Sequence, residues 1–187
     1  MKLSILICTI VGRENSLNTL LSILNKQKTE SVEILVNKDN RENSVGKKRN
    51  ELINKSKGEY ICFIDDDDIV SEDYINKILN LIEKSNPDVI GLELDYLVNG
   101  IKKGKAYHSI KYKSWYEEKN IDIPNEMKYY RNPNHLNPVK RDIAKKVMFP
   151  EINFREDYDY SMRMLPLLKT EEYINDTIYI YQFKTNK

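Results

Sequence analysis

The chain has 187 residues, with 30 Lys and Arg against 29 Asp and Glu and a formal charge of +1. That length supports one domain with a sizeable core, and the charge balance excludes a global pull toward nucleic acid or an anionic membrane, so specificity must come from local clusters. No apolar run approaches the ~20 residues of a membrane span.

The N-terminus, MKLSILICTI, runs into Arg13 and Glu14 without a small-residue cleavage site. It reads as a first strand, not a signal peptide, and the cytoplasm is the expected compartment. Cys8 and Cys62 each lie in an apolar run outside any CxxC pair, and both read as reduced core thiols. Residues 3–9 are apolar and β-branched, as a strand buried on both faces would be. A GRENS turn follows, and Ser16 is placed to cap a helix whose Leu17, Leu20, Leu21 and Leu24 share one face. Residues 32–36 make a second strand. A helix is expected over 45–57, with Leu52 and Ile53 inward and Gly58 as the stop. Residues 60–64 make a third strand. Ser71 opens a further helix with Ile75, Ile78, Leu79 and Ile82 as its stripe, ending before Pro87. This strand-helix alternation predicts an α/β fold with a doubly wound, mostly parallel sheet.

The second half breaks the rhythm. Residues 88–98 are strand-like, and Asn99-Gly100 is a hairpin turn signal. Residues 109–140 are rich in Tyr, Asn and Pro and offer no assignable element. Short helices are expected over 142–147 and 156–165, the second stopped by Pro166. Residues 177–183 alternate like a strand. The expectation is a single domain over 1–187, with a Rossmann-like half over 1–98 and a mixed half over 99–187.

One stretch raises a chemical question. YICFIDDDDIV, residues 60–70, drives a buried strand straight into four consecutive aspartates. Like charges side by side repel, and burying them costs several kcal/mol. Something positive must wait there. In open parallel sheets ligands bind beyond the carboxyl ends of the strands, which is where these aspartates stand. In an extended chain Asp65 and Asp67 would point one way and Asp66 and Asp68 the other. Paired oxygen ligands suit Mg²⁺ or Mn²⁺, which would in turn hold a diphosphate. The plain alternative is a solvated acidic turn opening the Ser71 helix, where negative charge suits the dipole.

Thr9 with GREN, Asp39-Asn40, SVGKKRN (44–50), KGEYICFIDDDD (57–68) and RED (155–157) occur in that order. Together they resemble a family 2 glycosyltransferase with the GT-A fold, over residues 3 to about 165. The resemblance implies transfer of a sugar from a nucleotide-sugar donor, a UDP-sugar by preference, to an acceptor hydroxyl, with inversion. It implies that Thr9 borders the base pocket and that Asp39 hydrogen-bonds the nucleobase. It places Arg13, Lys48 and Arg49 toward the diphosphate, and matches Asp65 and Asp67 to the DxD motif. Asp67 is then the direct metal ligand, with Asp66 and Asp68 in reserve for a one-residue shift. The implied cofactor is Mn²⁺ or Mg²⁺. Asp157 takes the role of general base, with Glu156 as the competing assignment. Each of these residues also has a plain reading: a turn former, a solvent-facing arginine, a basic helix face, an acidic helix start.

His135, in RNPNHLNPVK, is a candidate for acceptor contact or the metal shell, although a lone His in a polar loop is more often structural. His108 receives no role. Trp115, Tyr112 and Tyr116 suit an acceptor surface or, more commonly, core packing. Cys8 stands where the family often has Pro, and NKDNREN replaces an acidic-Gly-Ser turn. Without a long C-terminal extension or membrane helix, single-sugar transfer is expected over polymer synthesis. The rivals are a sugar-nucleotide nucleotidyltransferase, for which Val11-Gly12-Arg13 is too sparse a phosphate loop, and a non-catalytic module on the same scaffold. The expected partners are the donor and a glycan or other hydroxyl-bearing acceptor, with no nucleic acid.

Overall fold

The structure, a computed structural model, describes residues 1–185. The elements in chain order begin with β1 (Leu3–Ile10), α1 (Glu14–Gln27), β2 (Val32–Asp39), α2 (Val45–Lys55), β3 (Tyr60–Phe63), β4 (Ile69–Val70) and α3 (Tyr74–Ser85). They continue with β5 (Val89–Val98), β6 (Ile101–His108), β7 (Tyr116–Lys119), β8 (Met127–Arg131), β9 (Val139–Lys140), α4 (Arg141–Val147), α5 (Glu156–Met164) and β10 (Glu171–Phe183). The strands form one ten-stranded mixed sheet in the order β2-β1-β3-β9-β5-β6-β8-β7, with β10 beside β5 and β4 beside β10.

Alternation along β1 and β3 builds two cores. Leu3, Ile5 and Ile7 of β1, with Tyr60 and Cys62 of β3, face Leu17, Leu20 and Leu24 of α1 and the Ile75–Ile78–Ile82 stripe of α3. Leu6, Ile61 and Phe63 face the other way, onto Leu52 and Ile53 of α2, Val147 of α4 and Tyr160 of α5. Both faces of the parallel strands are thus covered, as the continuous apolar runs require. Burial pushes the free thiols of Cys8 and Cys62 up to about 12.

Two helix starts differ from the sequence reading. The first helix begins at Glu14, and Ser16 caps nothing. The Glu14 carboxylate accepts from the Gly12 amide at 3.0 Å and from Lys38 at 2.5 Å, so an acid in the first turn satisfies the start instead. The third helix begins at Tyr74, after a turn in which the Tyr74 amide donates to Ser71 O at 3.2 Å, while the Ser71 amide donates to the Ile178 carbonyl at 3.0 Å. Ile69 and Val70 consequently join β10 as an edge strand. Residues 109–140 contain three short strands, one of them (YEEK, β7) exposed throughout. Asn99 and Gly100 both have positive φ, as the hairpin signal requires.

Gly46 shows why α2 sits where it does. Its amide donates to Ile152 O at 3.1 Å, and a Cβ there would stand 1.8 Å from Pro150 O. Backbone cannot yield cheaply at that distance. Gly46→Ala is expected to lower stability by roughly 1–3 kcal/mol, read as a lower urea midpoint with an unchanged slope.

Candidate active site

The four aspartates do not continue the extended chain. The Asp68 amide donates to Asp65 O at 3.1 Å, which closes a turn and sends each carboxylate into different surroundings. Asp66 accepts from Thr9 Oγ1 and from Arg13, both at 2.6 Å. Asp67 lies 3.8 Å from Arg13. Asp65 lies 3.3 Å from Arg49 and 3.6 Å from His135 Nε2. Burial would raise Asp65, but His135 and Arg49 outweigh it and hold the carboxyl well below its ordinary range. Asp68 turns away from the cavity, accepting from the Tyr179 hydroxyl at 2.6 Å and the Gln182 amide at 2.7 Å. Burial, then the Asp65 charge, push it up to about 8. The countercharge that the aspartate run demands is therefore supplied in large part by Arg13 and Arg49.

A cavity of about 680 Å³ opens above this turn, at the carboxyl ends of β1 and β3. Asp65, Asp66 and Asp67 form one wall, and Arg13, Arg41, Lys48, Arg49 and Lys184 also line it. Lys48 and Arg49 are both buried and engaged. Lys48 donates to Thr9 O at 2.7 Å and to Asp39 at 2.8 Å. Asp39 also accepts from the Arg41 and Asn43 amides, and its bond from Lys48 leads in lowering it to about 2. Asp39 stands behind the cavity lining rather than in it.

Arg49 joins the two acidic motifs. Its guanidinium donates to Glu156 at 2.7 Å and to Asp65 at 3.3 Å, and lies 5.6 Å and 5.2 Å from the Phe63 and Phe149 rings. Glu156 is only 7% exposed. Asp157 is half-buried, with one oxygen accepting the Tyr158 amide at 2.8 Å. Arg155 holds a left-handed φ of 63° just before the helix, a turn that starts α5 abruptly.

Two further cavities continue from the first. One of about 720 Å³ touches Asp65, Glu156, Asp157 and His135. The other, about 400 Å³, lies beyond Asp157 over the sheet. Asp65 and Arg49 line the first and second, Asp157 and His135 the second and third, and Tyr181 all three. His135 is 7% exposed, and both ring nitrogens lack a hydrogen-bond partner among the described residues. Its loop is fixed by asparagines: Asn137 accepts from the Asn134 amide, and Asn134 accepts from the Leu136 amide.

Sequence reasoning missed Tyr181, Arg41 and Lys184. The 177–183 alternation puts Tyr179 and Tyr181 on one face, which was the available signal for Tyr181. Core packing does not describe the middle aromatics: Tyr116 is 46% exposed and Trp115 and Tyr112 half-buried.

His108 is buried, with Nδ1 3.0 Å from Asn137 Oδ1, and burial lowers it to about 4. The unfolded chain binds a proton there near pH 6.5 and the folded chain does not. Stability from this group is therefore lost as pH falls from about 6.5 to 4, on the order of 3 kcal/mol. Subtracting the stability–pH curve of His108→Gln from that of wild type should isolate this slope from the aspartates; parallel curves would contradict it.

The donor set fits a hard cation held jointly with a diphosphate. Asp65 and Asp67 both reach the cavity, and no group of three or more His, Cys, Asp or Glu able to hold an ion alone occurs among the described residues. Mg²⁺ is commonly bound by one or two carboxylates plus substrate phosphates.

A family model described as Glycosyl transferase family 2 matches residues 15–148, which include the aspartate turn and His135 and stop before Glu156. Solved structures of S. aureus TarS share the fold. TarS 1–349, alone and with UDP, is 18% identical at a TM-score of 0.73, over 97% of this chain and 60% of that one. TarS 1–349 with UDP-GlcNAc is 17% identical at 0.73, over 100% and 60%. The chain thus spans about 60% of the length of these structures. No curated protein matches. No helix among the described residues is long and apolar enough to cross a membrane.

Proposed function

The chain belongs to glycosyl transferase family 2, and we propose that it moves one sugar from a nucleotide-sugar donor, a UDP-sugar by preference, to a hydroxyl of a glycan, with inversion and with Mn²⁺ or Mg²⁺ bound. The observation that carries this reading is the run of three joined cavities. Cations and the aspartate turn lie at one end, and Asp157 stands where the second and third meet. The UDP and UDP-GlcNAc complexes of TarS favour a uridine donor.

The diphosphate lies in the first cavity, faced by Arg13, Arg41 and Lys184. Asp67 and Asp65 would hold a divalent ion, which would supply countercharge to the leaving diphosphate. Asp39 and Thr9 shape the base pocket through Lys48, which ties them together. Asp157 takes the proton of the acceptor hydroxyl on the side away from the diphosphate. Glu156 is spent on Arg49 and acts through position.

Donor hydrolysis by the purified protein tests the reading. Release of UDP from a panel of UDP-sugars with Mn²⁺, and none in EDTA, is the expected result. Metal-independent release would remove the ion from the mechanism. Formation of a sugar nucleotide from sugar phosphate and UTP would favour the nucleotidyltransferase instead.

A further inference from the structure

The sheet face below Asp157 differs in character from the first cavity. Tyr181 of β10 is paired with Tyr96 of β5, and their rings stack at 5.4 Å and 10°. The Tyr129 ring of β8 follows at 5.0 Å from Tyr96. Ala106 of β6 lies between these strands and lines the cavity, and its small side chain leaves the aromatic row uncovered. At one end the Arg131 guanidinium lies 5.0 Å from Trp115 and 5.5 Å from Tyr129. Asp157 and His135 close the end toward the donor. The result is an aromatic trough of about 400 Å³.

Charge sets this trough apart. The first cavity has Arg13, Arg41, Lys48, Arg49 and Lys184 on its wall. Among the described residues Arg131 is the one Lys or Arg lining the trough. It already donates to the Tyr116 and Tyr130 carbonyls at 2.8 Å and 3.0 Å. Glu117 and Asp157 share that wall. A phosphate there would meet two carboxylates against one guanidinium, one nitrogen of which is already bonded to two carbonyls. An uncharged ring of hydroxyls meets no such penalty, and its C–H face suits an aromatic row. His135 adds an independent sign of a ligand: while Nε2 lies 3.6 Å from Asp65, its buried Nδ1 has no hydrogen-bond partner among the described residues and is a group that needs one.

We propose that the trough is the acceptor subsite and takes an uncharged sugar ring, laid on the Tyr181–Tyr96–Tyr129 row beside Trp115 with one hydroxyl toward Asp157. This rests on the glycosyl-transfer reading above. In transfer, that hydroxyl oxygen bonds to the anomeric carbon. The bond from that carbon to the diphosphate oxygen breaks, its electron pair leaving with UDP, and the hydroxyl proton passes to Asp157.

Saturation-transfer NMR on the full chain without donor tests it. The probes are the methyl glycosides of glucose, galactose and N-acetylglucosamine, with glucose 6-phosphate as the anionic comparison. At least one methyl glycoside binds, and glucose 6-phosphate binds more weakly. Trp115→Ala and Tyr129→Leu each weaken glycoside binding roughly tenfold, the scale of one aromatic contact, while UDP affinity stays unchanged. Trp115 also donates to Ser161 at 3.2 Å, so Tyr129→Leu, which keeps an apolar side chain in the sheet, stands in if Trp115→Ala does not fold. No glycoside signal, tighter binding of glucose 6-phosphate, or full glycoside affinity in Tyr129→Leu overturns the proposal. A separate UDP titration of the wild type checks the donor reading. Glycoside binding without UDP binding would contradict that reading and still support the trough's preference for uncharged sugars.

Discussion

Asp157→Asn is expected to slow sugar transfer by roughly 10²- to 10⁴-fold while UDP and metal binding stay near wild type. An acceptor hydroxyl is a poor nucleophile until its proton is being removed, and the diphosphate side of the reaction is occupied by countercharge. The base must come from the other side. Two adjacent acids compete for the role, and their environments separate them. Glu156 is buried and bound to Arg49 at 2.7 Å, so its charge is committed. Asp157 faces both the junction cavity and the aromatic trough. Asn keeps its shape and the bond from the Tyr158 amide, and removes the basicity. Glu156→Gln keeps a hydrogen bond to Arg49, so its effect falls on stability, by about 1–3 kcal/mol. Transfer rates of both variants decide the matter: a collapse confined to Glu156→Gln moves the base by one residue.

Arg49→Leu carries the largest expected cost to the fold, about 3–5 kcal/mol. The guanidinium is buried between Phe63 and Phe149 and answers two carboxylates, Asp65 and Glu156, which stand 91 residues apart in the chain. Leu refills part of the volume and leaves Glu156 without its cation and Asp65 with His135 alone. Thermal and urea melts read the loss. The double variant Arg49→Leu/Glu156→Leu should recover part of it, because one uncompensated charge is gone. A loss of under 1 kcal/mol in the single variant would show that water compensates these acids and that Arg49 does not join the two motifs.

Much of the scaffold was legible in the sequence because burial on two faces writes itself as unbroken apolar runs. LSILICT and YICFI could hardly be anything but central strands. The aspartates announced that a countercharge was needed, and their position after a strand announced the ligand end of the sheet. What they could not announce was its source. Arg13 and Arg49 reach them through tertiary packing, and a turn, not an extended strand, decides which acid faces which partner. Helix starts at Ser16 and Ser71 failed because the neighbours of each serine are set by other contacts: Glu14 already holds the Gly12 amide ahead of Ser16, and the Ser71 amide pairs with Ile178 of β10. Residues 109–140 stayed dark because β7 is polar and exposed, so it has no alternation to read, and because the His135 loop is held by asparagine side chains whose partners are set only on folding. The RED run was legible as a candidate by position; the contrast between Glu156, buried on Arg49, and the half-buried Asp157 was not, since that depends on where Arg49 lies.

The central claim is that the aspartate turn binds a nucleoside diphosphate together with a divalent ion. Calorimetric titration of UDP into wild type and Asp67→Asn, each with Mn²⁺ and with EDTA, tests it most directly. The account predicts binding by wild type with Mn²⁺ alone, and its loss in Asp67→Asn with the melting curve unchanged. UDP binding at full strength by Asp67→Asn in EDTA would contradict it.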